Sequence, residues 1–337
     1  MEGRSHTFDI MKGVGIILMI VGHCSIHLLF VKIIYSFHMP LFFIISGFFY
    51  KPRPVVQQLK TDFKRLIIPY LFTCILLIIC GFIKDLVQNT GFGNTKYYAI
   101  ASLWGKAYSG SILLTDLPII GTIWFLLALF WCRMYSSFIF KKQTNGIYIM
   151  LTAIIAISID QFVLLPFGLH QGLYALLFYY AGYLANKHRI LEKKIPVFIQ
   201  FIMGAVWIYC ILYSHIEMSL CSYGCYPIDI LRAISGCYFI YVICKYINDK
   251  NLAVKNILIL FGQLSLVILC FHSIDRTVIP DGIWKSAIRE IFNLKTDITS
   301  HLSIIAVLLI IYRLIWAFAA VFFVPKITFC RRIFSIK

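Results

Sequence analysis

The sequence predicts an all-α integral membrane protein: one transmembrane domain, residues 1–337, built as a bundle of about ten helices with both termini in the cytoplasm. Three observations predict this fold class. Hydrophobic residues make up 61% of the chain and charged residues only 13%, about half the charged fraction of an ordinary soluble domain. The mean hydropathy is +0.86. Apolar runs near twenty residues, the length that a helix needs to cross the hydrocarbon core, recur along the whole chain.

These apolar runs divide the chain into ten candidate spans. Each run is bounded by basic or turn-forming residues, which favour the ends of spans. In chain order the spans lie near residues 11–31, 33–50, 66–83, 119–138, 147–165, 170–186, 195–213, 228–247, 256–273 and 302–324. Two longer connections, residues 84–118 and 274–301, are predicted to be loops on the outer side, where long loops often form lids or binding surfaces.

The basic residues orient the spans. With a cytoplasmic amino terminus, 21 of the 31 lysines and arginines fall on the cytoplasmic side and eight on the outer side, while Arg232 and Arg313 lie within spans. This asymmetry is the positive-inside pattern. The net charge of +17 is scattered through short loops, whereas nucleic-acid binding requires a clustered basic surface, so no nucleic-acid partner is predicted. The lipid bilayer is the predicted surrounding.

Several other site classes find no support in the sequence. The polar start lacks a small-residue cleavage site after the first span, so we expect that span to be retained. No dinucleotide fingerprint, phosphate loop or Cys/His metal signature is present, so no permanently bound cofactor is predicted. Most of the 11 cysteines lie in apolar segments and are expected to be core residues. Cys221 and Cys225 share a polar loop and can form either a disulfide or two free thiols.

A stripe of ionisable residues marks the first span. Ionisable groups at membrane depth are costly to desolvate and are rarely present without a function. Lys12 and His23 are eleven residues apart, which in a helix is three turns plus about 20°, so both project from one face about 16 Å apart. Asp9 and His27 are predicted to share that face. The stripe is typical of one wall of a polar path through the membrane.

Three histidines near the outer half are candidates for chemistry. His23, near the middle of the membrane, is expected to be neutral, the state that a general base requires; a structural histidine satisfied by a carbonyl is the alternative. His27 either orients His23 or faces the outer interface. His38 is expected to be re-aimed by a kink at Pro40. These histidines lack a convergent acidic or cysteine ligand, so no metal site is predicted.

Other polar residues leave alternatives open. Lys60, Lys64 and Arg65 can grip phosphates or can be ordinary cytoplasmic anchors. Ser46 is undecided between packing and binding, and Trp124 lines either the path or the lipid face. The other predicted features are His272, which ends the ninth span at the outer surface, and a structural ion pair between Asp229 and Arg232.

The order of the motifs carries a family resemblance. A basic residue, Lys12, is followed eleven residues later by His23, and then come SFHMPLFFIISGFFY, KRLIIPY, IWFLLALF, FYYAGYL and FGQLSLVILCFH. In this order they resemble the acyltransferase 3 family of bacterial membrane acyltransferases over nearly the whole chain. The FHMPLFF and FIISG strings are most similar to the branch related to fucose 4-O-acetylases.

The resemblance implies a function and roles for residues. It implies transfer of an acyl group, usually acetyl, from cytoplasmic acyl-CoA to a hydroxyl of an envelope or exported saccharide, at the bacterial cytoplasmic (inner) membrane. His23 would be the essential histidine, Lys12 its basic partner, and Arg65 part of the motif that binds the donor. The family commonly shows two arginines three apart before the RLIIP-like segment. The earlier position here is Asp62, and either Lys60 or Lys64 can substitute for the missing arginine.

Together these lines predict a membrane O-acyltransferase whose donor phosphates rest on Lys12, Lys64 and Arg65. His23 acts either as a base or as an acyl carrier, and the sequence does not separate the two. The rival functions are a proton-coupled saccharide transporter, in which the histidines relay protons, and a sensor without turnover. No residue predicts the oligomeric state. The predicted catalytic residues are His23, Lys12 and Asp9, and the predicted substrate-binding residues are Arg65, Lys64, His38, Ser46, Trp124 and His272.

Overall fold

The structure, a computed structural model, describes residues 6–24, 27–105, 117–140, 146–160, 165–214, 216–224, 228–250, 252–291 and 304–336. Within these ranges the regular secondary structure is helical apart from one short antiparallel ribbon. The ribbon consists of β1 (Ile216–Glu217) and β2 (Ser222–Tyr223), with Ile216 opposite Tyr223.

Sixteen α-helices account for most of the described residues. In chain order they are α1 (Thr7–Gly22), α2 (Leu28–Tyr35), α3 (His38–Phe48), α4 (Val55–Asp62), α5 (Ile68–Gln88), α6 (Gly93–Trp104), α7 (Trp124–Ile139), α8 (Gly146–Asp160), α9 (Leu169–Lys187), α10 (Val197–Tyr213), α11 (Ile228–Asp249), α12 (Lys255–Gln263), α13 (Ser265–Val278), α14 (Asp281–Ile291), α15 (Ile304–Phe323) and α16 (Thr328–Ile333).

Five helical segments of the described chain, one of which is interrupted at residues 36–37, are long and apolar enough to cross a membrane, and a bent pair of helices can form a sixth. The chain is therefore an all-helical integral membrane protein, as predicted. The shorter apolar helices α8 and α10 coincide with two further predicted spans, so ten spans and cytoplasmic termini remain predictions. The five segments are Leu28–Phe48, Val55–Gln88, Gly121–Ile139, Ile228–Asp249 and Ile304–Lys326.

The first predicted span is too long, because α1 ends at Gly22. The backbone amides of His23 and Cys24 donate to carbonyls only three residues back, which tightens the helix end into a turn. His27 then starts the next helix, where its Nδ1 accepts a hydrogen bond from the amide of Leu29 at 3.2 Å. The prediction that His27 shares the helix face of Lys12 is therefore wrong, since His27 caps α2.

The ninth predicted span is broken. Helices α12 and α13 meet at Leu264 with a bend of 76°, and α13 continues to Val278. Asp275 and Arg276, predicted to lie in an outer loop, are consequently helical. Asp275 is buried, forms an ion pair with the buried Arg313 and accepts a hydrogen bond from Tyr312 at 2.7 Å. The predicted loop misses this pairing because Arg313 lies 38 residues further along the chain.

Helix α1 lies among many neighbours and contacts α2, α3, α11, α12, α13 and α15. Its crossing with α12 is tight: a Cβ atom on Gly262 would lie 1.7 Å from the carbonyl oxygen of Asp9, and one on Gly13 would lie 2.1 Å from that of Leu258. Because glycine has no side chain, the two backbones can approach closely, as is common between membrane helices. The Asp9 end of the ionisable stripe is thereby fixed against α12.

The carboxylate of Asp85 holds the connection between α5 and α6 through hydrogen bonds. Asp85 accepts hydrogen bonds from the backbone amides of Asn94 and Thr95 and from both of their side chains, at 2.7–2.9 Å. These amides belong to the first turn of α6, whose donors have no partner within the helix. The predicted loop 84–118 thus contains a capped helix, which carries Tyr97 and Tyr98.

A second buried ion pair, predicted from the sequence, lies within α11. Nη1 of Arg232 lies 3.2 Å from Asp229 Oδ1, both side chains are buried, and Arg232 also donates to the carbonyl of Cys210. The prediction of a structural pair within this helix is confirmed. Cys225 lies outside the described residues, so the choice between a disulfide with Cys221 and two free thiols stays open.

Candidate active site

A cavity of about 470 Å³ opens beyond the end of α1, between α3, α6 and α13. Its wall also includes the connection before α7 and the β1 ribbon. Apolar and aromatic side chains form much of the lining, among them Met19 and Trp124. The polar side chains that line it include His23, Tyr35, His38, Glu217, Ser273 and Arg276.

His23 lies at the carboxyl end of α1, as the residue that follows its last helical position. Its ring is half-buried, and its Nδ1 is 3.3 Å from the hydroxyl oxygen of Tyr35. On another side the ring stacks on that of His272, with centroids 5.8 Å apart and planes inclined by 23°. Because α1 is continuous from Lys12 to Gly22, His23 stands about 16 Å along the helix from Lys12, as predicted.

His38 is the first residue of α3 and is 5% exposed. Its Nδ1 lies 2.9 Å from the carbonyl oxygen of Ile34, and its ring is 4.9 Å from that of Tyr35. The prediction that Pro40 kinks the chain here is wrong, because the helix breaks at residues 36–37. Pro40 occupies the first turn of α3, where a missing amide costs no helical hydrogen bond.

His272 does not lie at the outer surface as predicted. It is 2% exposed, and neither ring nitrogen has a hydrogen-bond partner among the described residues. His272 does not line the cavity, which is lined on α13 by Leu269, Ser273, Arg276 and Thr277, but its ring stacks on that of His23. His272 therefore contacts the candidate catalytic residue directly.

Trp124 begins α7 and lines the cavity. Of the two predicted alternatives, the polar path and the lipid face, the structure therefore favours the path. The residue two before it, Thr122, forms a hydrogen bond between its hydroxyl and that of Ser273 on α13. This contact joins the turn before α7 to α13, and both residues line the cavity. The indole of Trp124 is 7% exposed and presents an aromatic surface to any ligand in the cavity.

Sequence reasoning missed several polar residues of the cavity wall as site residues, among them Tyr35, Glu217 and Arg276. Tyr35 lies within an apolar run, and only its distance of twelve residues from His23 hints at the contact. Glu217 is one of only 14 acidic residues in the chain, and this scarcity is the one feature of the sequence that could have marked it as a site residue. Its Oε1 accepts hydrogen bonds from the amide and the hydroxyl of Ser219 at 3.3 and 2.7 Å. Arg276 follows His272 by one helical turn and is half-buried.

Asp9 and Lys12 pair with each other at the start of α1. Lys12 Nζ is 2.8 Å from Asp9 Oδ1, and His6 Nδ1 is 3.5 Å from Asp9 Oδ2. Asp9 is 6% exposed. Neither residue lines the cavity, so the structure places these two predicted catalytic residues along α1 and away from the ring of His23.

A second concavity, which we call the basic groove, lies between the α4–α5 junction and the carboxyl-terminal helix α16. Its volume is about 850 Å³. It includes the predicted Lys64 and Arg65, and no acidic residue lines it among the described part of the chain. Lys12 does not line it. The lining residues are Lys60, Thr61, Lys64, Arg65, Thr328, Arg331, Arg332, Ser335 and Ile336.

The groove lies at the start of α5, and the cavity lies further along that helix. Lys64 and Arg65 belong to the π-helical turn Phe63–Ile67 that precedes α5, whereas Tyr98 of the cavity wall packs against Gly81 of α5. Along a helix, the distance from Arg65 to Gly81 is about 24 Å. Single π-helical turns are rare and are frequent at functional sites. The cationic surface and the histidine-lined pocket therefore lie at different levels along α5.

The chain matches a known protein family over most of its length. The family model described as an acyltransferase domain, that of the acyltransferase 3 family, matches residues 5–322. The chain belongs to the acyltransferase 3 family. The predicted resemblance is thereby confirmed, and the protein is a member of a family of acyltransferase enzymes.

Two curated relatives of this acyltransferase 3 protein carry the name nodulation protein NolL. The relative from Mesorhizobium japonicum is 26% identical over 176 residues, which cover 47% of this chain and 42% of the relative. The relative from Sinorhizobium fredii is 28% identical over 187 residues, covering 50% of this chain and 44% of the relative. The chain thus spans less than half the length of these relatives. No solved structure matches it.

Asp62 stands where the acyltransferase 3 pattern commonly has an arginine, and the structure shows its role. It is 1% exposed, and both of its carboxylate oxygens lie 3.0 Å from Nε of Arg133. Arg133 also donates to the hydroxyl of Ser46 at 3.1 Å. Asp62 is therefore neutralised by a structural partner, and Ser46 belongs to this network and does not line the cavity.

The histidines do not form a metal site in the described part of the chain, where no three potential ligands of the His, Cys, Asp or Glu types converge. The cavity chemistry available from these residues is that of imidazoles, hydroxyls, one carboxylate and one guanidinium. Such groups transfer protons, form hydrogen bonds to sugar hydroxyls, and in the case of imidazole form covalent acyl intermediates.

Proposed function

We propose that the protein is a membrane O-acetyltransferase of the bacterial cytoplasmic membrane. It moves an acyl group from cytoplasmic acyl-CoA to a hydroxyl of an envelope or exported saccharide. One observation carries the proposal: a half-buried His23 lines a polar cavity that lies further along α5 than a groove of five cationic side chains. Membership of the acyltransferase 3 family supports the reaction type.

The basic groove suits the donor. Acyl-CoA carries several phosphate groups, and arginine and lysine side chains form strong charge-assisted hydrogen bonds with phosphate oxygens. Arg65 and Lys64 supply one wall, and Arg331 and Arg332 of α16 supply the other. The donor's thioester arm then extends into the bundle towards His23, and the Asp9–Lys12 pair flanks that route at the start of α1.

The cavity suits the acceptor. Its volume of about 470 Å³ is within the range of small-molecule sites, which is large enough for one or two sugar rings. Aromatic side chains, including Trp124 and Tyr98, offer faces for the apolar side of a sugar. Glu217 and Arg276 offer hydrogen bonds to hydroxyl groups, as does Tyr35.

His23 has two possible chemical roles at this site. As a base it takes the proton of the acceptor hydroxyl while that oxygen attacks the thioester carbonyl. As an acyl carrier it attacks the thioester first and passes the acyl group to the acceptor. Both roles need a neutral imidazole, which the desolvated site favours because no carboxylate among the described residues lies within ion-pair distance of His23.

The test is turnover by purified protein in liposomes with radiolabelled acetyl-CoA and methyl glycosides of fucose, glucose, galactose and N-acetylglucosamine. His23→Ala should lower labelled product at least 100-fold, because one imidazole is lost from a bundle that stays folded. His188→Ala, at an exposed histidine beyond α9, is the matched control and should keep wild-type turnover. Comparable turnover by His23→Ala would refute the catalytic role. Saccharide flux that requires a proton gradient and no acetyl-CoA would favour the transporter instead.

A further inference from the structure

His38 presents a ring nitrogen of defined protonation to the cavity. Its Nδ1 is 2.9 Å from the carbonyl oxygen of Ile34. A carbonyl oxygen can only accept a hydrogen bond, so Nδ1 carries the proton, and in the neutral ring the lone pair is on Nε2. Because the ring lines the cavity with Nδ1 engaged, Nε2 is the nitrogen that a ligand can meet.

The helix break between α2 and α3 produces this geometry. Residues 36–37 interrupt the helix, and the imidazole of His38 bonds the carbonyl that lies four residues earlier. The hydrogen bond fixes the ring against the backbone, and His38 is only 5% exposed. No carboxylate of the described residues lies within ion-pair distance of this ring, so burial favours its neutral, proton-accepting form.

His23 lacks an equally defined tautomer. Its Nδ1 faces the hydroxyl of Tyr35 at 3.3 Å, and a hydroxyl can donate or accept, so this contact does not fix the position of the ring proton. An imidazole whose Nδ1–H is held by an acceptor, with Nε2 left free, has the orientation of a general base. Of the two rings, His38 has that arrangement.

We propose that His38 is a second catalytic residue, the group that takes the proton from the acceptor hydroxyl, which leaves His23 to act on the acyl group. This inference rests on the proposed function. The geometry behind it is that a backbone-anchored imidazole, His38, and a second imidazole, His23, line the same cavity. Tyr35 contacts both rings.

The proposed step balances in either route of acyl transfer. The acceptor oxygen forms a bond to the acyl carbonyl carbon, and its proton moves to Nε2 of His38. The bond from that carbon to the leaving atom breaks, and its electron pair stays with the leaving atom. That atom is the thioester sulfur in direct transfer or a nitrogen of His23 in the relay. His38 then returns the proton to the leaving atom. In the relay, His23 has first taken the acyl group from the thioester sulfur and given its own ring proton to that sulfur, so the nitrogen of His23 regains from His38 the proton that the ring lost.

The experiment compares two acceptors. One is the methyl glycoside that wild-type protein acetylates fastest, and the other is hydroxylamine, whose nitrogen lone pair attacks without prior deprotonation. His38→Asn keeps an amide donor near the Ile34 carbonyl but cannot accept the proton. It should lower transfer to the glycoside about 100-fold or more, while transfer to hydroxylamine stays within about threefold of wild type. His38→Gln should show the same split.

His27→Asn is the matched control, since His27 is exposed and caps α2, and asparagine is a good cap. It should change neither rate. Equal losses with both acceptors in both His38 variants would overturn the proposal, because they indicate a structural role. Unchanged rates with both acceptors would also overturn it. Wild-type protein that acetylates neither acceptor would instead refute the proposed function on which the inference rests.

Discussion

The rings of His23 and His272 lie 5.8 Å apart and nearly parallel, with an interplanar angle of 23°. His23 ends α1 and His272 belongs to α13, so the stack joins two helices at the candidate active site. His272 is buried, and its ring nitrogens have no hydrogen-bond partner among the described residues. The contact that the structure shows for His272 is therefore packing against the ring of His23.

Removing the His272 ring should leave the ring of His23 less firmly positioned in the cavity. His272→Ala is expected to lower kcat about fivefold to tenfold, because stacked ring pairs contribute about 1 kcal/mol beyond their buried area. His272→Phe keeps a flat ring at the same place and should retain kcat within about threefold. Steady-state kinetics with acetyl-CoA and the best glycoside measure both. A phenylalanine variant as impaired as the alanine variant would show that the nitrogens of His272 take part in the chemistry.

Much of the architecture could be predicted from the sequence because it depends on local properties. The apolar runs indicate the helices, and the basic-to-histidine spacing places Lys12 and His23 on one helix. The end of that helix could not be predicted from average hydropathy, since the turn at His23 lies inside an apolar run. A histidine cap at His27 is also an unusual helix-start signal, because serine, threonine, aspartate and asparagine are the common caps.

The features that sequence reasoning missed depend on contacts between distant segments. Asp275 is buried because Arg313, on another helix, neutralises it. Arg331 and Arg332 look like ordinary cytoplasmic anchors until α16 folds against the start of α5. Tyr35 is an aromatic residue in an apolar run, and nothing in the run itself reports that its hydroxyl meets His23.

The basic groove should govern donor affinity. Arg331→Gln combined with Arg332→Gln is expected to raise the KM for acetyl-CoA about threefold to tenfold with little change in kcat. Phosphate contacts are made equally in the ground and transition states, and exposed charges are partly screened by solvent. Arg65→Gln should act in the same direction.

The matched control for the groove is Arg189→Gln, at an exposed arginine that lies 4.0 Å from Glu192 and outside the groove. It should leave the KM for acetyl-CoA unchanged. Acetyl-CoA that lacks its 3′-phosphate should show a smaller difference between wild-type protein and the double variant. An unchanged KM in the double variant would show that these arginines act only as topological anchors.

The close crossing of α1 and α12 should not tolerate a methyl group at Gly262. Gly262→Ala places a Cβ atom 1.7 Å from the Asp9 carbonyl oxygen, so the helices must separate, which typically costs about 1–3 kcal/mol. We expect a lower Tm in detergent and reduced turnover, because α1 carries His23. Gly204→Ala is the control, since its nearest neighbour would be an ordinary 3.5 Å away. Equal Tm values for the two variants would contradict the described crossing.

The measurement that tests the account most directly is the sidedness of transfer. Vesicles are prepared with the protein inserted in one direction, so that the basic groove faces the lumen. Radiolabelled acetyl-CoA is sealed inside, and the preferred glycoside, tethered to beads that cannot cross the membrane, is added outside. The account predicts label on the beads, and His23→Ala vesicles should give none. Label that appears only when donor and acceptor share one compartment would contradict transfer between a groove and a cavity that open on opposite sides of the membrane.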